Sequence, residues 1–194
     1  MTVATDALSA GALHADALRR VRSNRLGLWL FFLSDSLLFA LLFTARFYMN
    51  GTSTPDDVSQ LLGLGITSIL LLSSLTAYRA ETAIAHGRQT PGRRMLLATI
   101  GLGLIFLAGV IVEWSIAEFV PSDGYGTAFF SMTGMHASHV ASGVLLLALA
   151  YRRAGRGAYA GGGTRAWGVS ATVMYWHFVD VVWVFFYPAL YLLR

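Results

Sequence analysis

The sequence predicts an all-α polytopic membrane protein, a bundle of five transmembrane helices with its N-terminus cytoplasmic and its C-terminus outward. Three observations carry that prediction. The chain is 56% hydrophobic and 12% charged, with a mean hydropathy of +0.60, a balance that points to membrane rather than to a soluble core. Five apolar runs each approach the ~20 residues that a helix needs to cross a bilayer. Twelve of the fourteen arginines fall in the N-terminal tail and in the second and fourth connections, while the first and third connections hold acids and no arginine. That alternation follows the positive-inside rule.

Composition also closes some doors. With no cysteine, disulfides, thiolate metal sites and iron–sulfur clusters are excluded. The net charge of +4 comes from arginine alone, and no soluble basic face is offered to a nucleic acid.

Residues 1–25 read as a cytoplasmic tail, alanine-rich and ending in Arg19, Arg20, Arg22 and Arg25. Residues 26–194 form the transmembrane domain. The first span, about 26–48, lacks the short apolar core and cleavage site of a secretory signal, so an uncleaved helix is expected. A polar first loop from Asn50 to Gln60 carries Pro55 and two aspartates. The second span covers about 61–78, and Arg79 to Arg94, with Gly87, Pro91 and Gly92, reads as a loop. The third span covers about 95–118. Pro121-Ser122-Asp123-Gly124 makes a turn, the fourth span covers about 128–151, and Gly161 to Gly163 mark a flexible connection to the fifth span at about 170–193. Trp29, Trp114, Trp167 and Tyr191 fall near span ends, where aromatic side chains anchor helices at the interface.

The polar groups inside these spans are the candidate functional residues, because an ionisable side chain at bilayer depth costs about 2.5 kcal/mol or more and must face protein or trapped water. At a rise of ~1.5 Å per residue, Asp35 lies about 12 Å from the inner end of the first span. His177 comes out at a similar depth, His139 and Asp180 near the midplane, His136 further out, and Glu113 toward the outer surface. His177 and Asp180, three apart, share a helix face, while Trp176 and Trp183 form an adjoining aromatic stripe. Arg46 falls on the same face as Asp35.

Three readings of these groups stand side by side. His136-x-x-His139 and His177-x-x-Asp180 have the spacing of metal-ligand pairs in helical bundles, but ligands of one ion must meet within about 2–2.5 Å of a point, and these are spread over more than half the bilayer. Interhelical hydrogen bonds, worth about 0.6 kcal/mol per pair, are the second reading, with His139 and Asp180 expected to meet near the midplane. A proton-accessible or lipid-headgroup cavity is the third. Arg79, Arg88 and Arg93, near the inner ends of their helices, are placed to hold anionic headgroups, at about 1 kcal/mol each.

The run Tyr175-Trp176-His177-Phe178-Val179-Asp180-Val181-Val182-Trp183 resembles the C-terminal signature of subunit III of the haem-copper respiratory oxidases. The resemblance extends from about Leu26 to the end of the chain. Ser34-Asp35 followed by Leu37-Leu38-Phe39 is similar to the family's Ser-Glu or Ser-Asp stretch, whose carboxylate reacts with carbodiimide, and this implies that role for Asp35. Glu113-Trp114 resembles a Glu-aromatic pair. Thr133-Gly134-Met135-His136-Ala137-Ser138-His139-Val140 looks like the family's Gly-Phe-His-Gly-Leu-His-Val, with Met135 in place of an aromatic and Ala137-Ser138 in place of Gly-Leu. The two additional N-terminal helices of the mitochondrial form are absent, as in the short bacterial members.

The resemblance implies a non-redox accessory subunit of a terminal oxidase of the bacterial plasma membrane that reduces oxygen to water and pumps protons. It implies no cofactor in this chain, haem and copper in partner subunits, contact with the catalytic subunit I, support of proton uptake, and phospholipids held in a cleft between the first two helices and the other three. Asp35 in place of glutamate leaves the donor open between cytochrome c and quinol, and a quinol-oxidase or nitric-oxide-reductase-associated homologue is the alternative. A self-contained haem or di-metal enzyme and a small transporter are the competing classes, although five spans do not divide into equal repeats.

Overall fold

The computed structural model describes the backbone of residues 2–51 and 60–193, with side chains from residue 15 onward apart from Asn50. The helices are α1 (Thr2–Asn50), α2 (Gln60–Ala85), α3 (Gln89–Ile116), α4 (Gly124–Gly155) and α5 (Trp167–Tyr187). A 3-10 turn at Gly163–Ala166 leads into α5, and a π-helical turn at Pro188–Leu192 follows it. Among the described residues there is no strand, and five segments are long and apolar enough to cross a membrane. The first loop's Pro55, Asp56 and Asp57 lie outside the described residues.

The helices outrun the apolar runs that define the spans. Alanine and arginine are strong helix formers, so α1 reaches back through the arginine cluster to Thr2. The stretch expected as a loop from Arg79 to Arg94 is helical except at His86–Arg88. Gly87, at φ +78°, makes the turn. Pro91 is the third residue of α3, a position where the missing N–H has no helical partner to lose. Gly92 lets α3 press onto α2, since a Cβ there would come within 2.4 Å of Ile84.

Helices α2, α3, α4 and α5 form a closed ring in which each packs against the next and α5 returns to α2. Helix α1 stands outside this ring against the edge made by α4 and α5. Only 11% of its most apolar window is buried, against 56% for the segment containing α5, which makes α1 the peripheral helix. The expected division into a first pair and a last trio is therefore corrected: α2 belongs to the ring and makes its largest contact with α3. The three-residue connection between α2 and α3 forces them to be antiparallel neighbours.

The centre of the ring is aromatic. Trp176 and Trp183 of α5 are wholly buried, with Phe106 of α3 and Phe129 of α4. Their close packing needs glycine opposite, and Gly103 and Gly143 both face the Trp176 indole. Leu33, Leu37 and Leu41 on α1, Leu104 and Ile111 on α3, and Leu145 on α4 point outward, as lipid-facing positions do.

Candidate functional site

Polar contacts tie α2 to α5 along most of their length. Trp176 Nε1 donates to Ser73 Oγ at 2.9 Å, and Trp183 Nε1 donates to Thr67 Oγ1 at 2.9 Å. Each hydroxyl passes its own proton back to a carbonyl of α2, Leu70 for Ser73 and Gly63 for Thr67. Between the two tryptophans, Ser74 Oγ donates to Asp180 Oδ2 and lies 3.0 Å from His177 Nδ1. At the far end Gln60 Nε2 reaches the Tyr191 carbonyl at 3.3 Å. Thr67 and Ser74, seven apart, put their hydroxyls on one face two turns apart, and they meet Trp183 and the His177–Asp180 pair, respectively, across the interface.

The expected meeting of His139 with Asp180 does not occur. Their depths were estimated from rise alone, which says nothing of direction around the helix. Asp180 faces α2, whereas His139 faces α1, where its Nε2 lies 3.3 Å from Asp35 Oδ2. Both side chains of this pair are largely buried, at 16% and 12% exposure. The separation is that of an ion pair, although the alignment is not that of a hydrogen bond and Asp35 Oδ2 accepts none. Distance governs a charge interaction, so the contact is electrostatic. His139 Nδ1 is 2.8 Å from the Met135 carbonyl, and a carbonyl only accepts, so Nδ1 carries a hydrogen. The contact with the carboxyl is attractive when Nε2 also carries a proton. Beside it, Ser142 Oγ and Tyr175 Oη are 2.6 Å apart.

His136 is fully buried with no hydrogen-bond partner on either ring nitrogen among the described residues. Its ring lies against Trp183 at 4.6 Å between centroids and against the edge of Phe106 at 5.6 Å. Its interhelical contact is with aromatic rings rather than polar groups.

Toward the other end of the bundle, Glu113 of α3 accepts a hydrogen bond from Tyr191 Oη at 2.8 Å, and its Oε1 is buried without a hydrogen bond. Tyr125 Oη donates to the Leu190 carbonyl at 2.6 Å, and the Arg46 guanidinium stands 5.0 Å from the Tyr125 ring. Tyr191 is wholly buried, which corrects its reading as an interfacial anchor: the π-helical turn rotates it inward onto Glu113. Gly63 makes room for its ring, since a Cβ would come within 2.6 Å. Trp114 Nε1 donates to Thr133 Oγ1 at 3.0 Å.

Arg79 and Arg88 are exposed near the α2–α3 turn. Arg93 is half-buried, its guanidinium 4.8 Å from the Tyr151 ring and against Gly155 at the end of α4. Among the described residues no three His, Asp or Glu side chains come together as metal ligands. The residues that the sequence reading missed are the hydroxyls of α2, together with Tyr191, Tyr125 and Ser142. A Ser/Thr repeat at seven-residue spacing in an apolar helix was the available signal.

A five-span helical bundle whose interior carboxylates and imidazoles engage neighbouring helices instead of converging on an ion defines a class: membrane proteins built to pack and to place polar groups at depth. The chain matches the family model for cytochrome c oxidase subunit III over residues 3–193. It belongs to that family. Among its relatives, cytochrome c oxidase subunit 3 of Neurospora crassa is 36% identical over 200 residues, covering 96% of this chain and 74% of that protein. The Podospora anserina protein of the same name is 34% identical with the same coverage. A probable cytochrome c oxidase subunit 3 of Rickettsia prowazekii is 39% identical over 128 residues, or 66% of this chain and 46% of that one.

Proposed function

We propose that this chain is the non-redox accessory subunit III of a proton-pumping terminal oxidase of a bacterial plasma membrane, with cytochrome c as the donor to the complex. The observation that carries the reading is the family match across nearly the whole chain, on a bundle whose inner faces are occupied by its own aromatic and polar side chains. The quinol-oxidase alternative draws no support from the relatives' names, and the self-contained haem or di-metal alternative draws none from the scattered imidazoles. Haem and copper then belong to partner subunits, and subunit I covers part of the exposed leucine-rich surface. The arginine distribution supports a cytoplasmic N-terminus.

In this reading Asp35 is the carbodiimide-reactive carboxyl that supports proton uptake, with Glu113 a second proton-related carboxylate. Phospholipid tails lie in the apolar groove between α1 and α5, lined by Phe39, Phe43, Phe178, Val181 and Phe185. Arg79 and Arg88, exposed beside the inner turn, meet anionic headgroups, and Arg93 serves at the same interface while stacked on Tyr151.

Deleting the chain and purifying the remaining oxidase tests the proposal. The expected complex keeps its haem and copper signals and its initial oxygen reduction, and loses activity progressively during turnover. Loss of a haem or copper signal would overturn it, as would failure of the tagged chain to co-purify with haem-copper subunits.

A further inference from the structure

We propose that His177, Ser74 and Asp180 form a proton relay that carries a proton from the groove beside α1 to a buried carboxylate between α5 and α2. The relay stands on its own geometry and does not depend on which oxidase the chain serves.

Ser74 is the pivot. Its single hydroxyl hydrogen is directed at Asp180 Oδ2, so the contact with His177 Nδ1 at 3.0 Å is one in which the oxygen accepts and Nδ1–H donates. In that arrangement the imidazole is the Nδ1–H tautomer, and Nε2 is the nitrogen that takes a proton. His177 lines a groove with Trp29 and Phe32 of α1 and with Met174, Phe178 and Val181 of α5. Met174 also lines the adjoining pocket, where the polar groups Arg25, Glu81, Thr164 and Ser170 gather at the inner end of the bundle. Met174 lines both spaces, so in the relay a proton passes between the polar pocket and the imidazole beside the Met174 side chain. At the other end Asp180 is 3% exposed, and its Oδ1 is buried without a hydrogen bond among the described residues. A carboxylate with one oxygen on a proton donor and the other unpartnered in an apolar interior is a group whose charged form is costly and whose neutral form is readily held.

The transfer balances without any other reactant. A proton arriving on Nε2 makes the imidazolium. Nδ1–H then passes to Ser74 Oγ as the Ser74 hydrogen passes to Asp180 Oδ2. The result is a neutral imidazole protonated on Nε2, an intact serine and a neutral carboxylic acid. The reverse sequence returns the proton to the groove, so Asp180 acts as a holding site rather than as one stage of a through-channel. The charged and titratable groups around the relay are Glu81 of α2, whose charge acts on His177, Arg25 of α1 at the mouth, the Asp35–His139 pair on α1 and α4, and His136 of α4 against Trp183. Glu81 and Arg25 oppose each other there, which lets a proton reach the mouth without a fixed barrier of one sign.

A hydroxyl that merely ties α2 to α5 predicts none of this, and infrared difference spectroscopy after a pH jump distinguishes the two. The sample is the full chain in its purified complex, and the readout is the protonated-carboxyl C=O band. The expected result is a band that responds to pH, is missing in Asp180→Asn, and rises about a hundredfold more slowly in Ser74→Ala, the low end of what a positioned proton-transfer group contributes. Ser74→Thr restores the rate. If Asp180→Asn fails to assemble, the Ser74→Ala and Ser74→Thr pair still reads the relay on the native band. If Ser74→Ala also fails, His177→Gln must slow the band by a similar factor. A pH-responsive band that persists in Asp180→Asn, or one that rises at the native rate in Ser74→Ala or His177→Gln, overturns the proposal, and so does the lack of any pH-responsive band.

Discussion

His139 on α4 and Asp35 on α1 approach to 3.3 Å where the outlying helix packs against the α4 side of the ring. The other contacts that hold α1 are mostly aromatic, among them Phe39 against His139 and Phe186, Phe32 stacked on Phe178 at 4.7 Å, and Arg46 over Tyr125. A buried polar group left alone carries its desolvation penalty. Replacing only Asp35 with leucine should therefore destabilise more than replacing both Asp35 and His139. A double-mutant cycle on thermal unfolding in detergent should give a coupling of about 0.5–3 kcal/mol for this pair. The His139 and Asp180 changes should be additive, since those residues face different helices. Coupling between the latter two, with none between Asp35 and His139, would contradict the geometry.

A hydrophobic carbodiimide reacts with a carboxyl that holds a proton and can be reached from the bilayer. Asp35 stands on the peripheral helix α1 with its side chain 12% exposed, which meets the second requirement. Labelling should fall to background in Asp35→Asn, while Asp180→Asn and Glu113→Gln should retain it, because those carboxyls lie inside the ring at 3% and 4% exposure. Mass mapping of the labelled peptide settles which acid reacts.

The sequence made five spans and a helical bundle legible because length and hydropathy report directly on a bilayer crossing. Spacing within one helix also carried through: Trp176, His177, Asp180 and Trp183 all engage α2 or the interior, as their shared faces require. What stayed hidden was which helix each face meets. Rise per residue locates Asp180 and His139 at one depth but cannot say that one turns to α2 and the other to α1. Serine and threonine barely change the hydropathy of an apolar run, so Ser74 and Thr67 do not stand out in it. Helix ends were also misread from glycine and proline at Gly87 and Pro91, since only Gly87 adopts a conformation that breaks the helix.

Tyr159 lies in the connection after α4, buried at 4% exposure, with its carbonyl accepting from Gln89 Nε2 at 3.0 Å. Burial pushes its phenol above the ordinary tyrosine range, and the nearby Arg153 draws it partly back. The folded value thus exceeds the unfolded value of about 10, so the neutral phenol is the form that folding favours. Its contribution is complete below about pH 10 and is lost as pH rises through the folded value. Alkaline titration followed by tyrosinate absorbance should show a late-ionising group that Tyr159→Phe removes, along with part of the alkaline loss of stability. An unchanged titration in that variant would contradict the assignment.

Among the described residues Glu113 has one hydrogen-bond donor, Tyr191 Oη, and its other oxygen has none. Tyr191→Phe strips the carboxyl of that donor and should cost about 1–3 kcal/mol. Glu113→Leu, which also removes the orphaned acceptor, should cost less than Tyr191→Phe. Thermal stability of the two variants in the same lipid checks the order, and the reverse order would mean that Glu113 holds the bundle together by a partner other than Tyr191.

The Trp176 indole is enclosed by glycines on two sides. A Cβ at Gly103 would come within 2.7 Å of it, and one at Gly143 within 2.8 Å. Gly103 comes from α3 across the ring and Gly143 from the neighbouring α4, so the indole is confined from two directions, and its Nε1–H is committed to Ser73. Alanine at either position should cost about 1–3 kcal/mol through overpacking, despite the better helix propensity of alanine. Gly101 has open space at its Cβ position, and Gly101→Ala should be neutral or stabilising by the propensity difference. The decisive variant is Gly143→Ala combined with Trp176→Phe. The smaller ring vacates the volume that the new methyl group needs, so the pair should be less damaging than the sum of the single changes. Strict additivity in unfolding measurements would mean that Gly143 is required for a reason other than room for the indole.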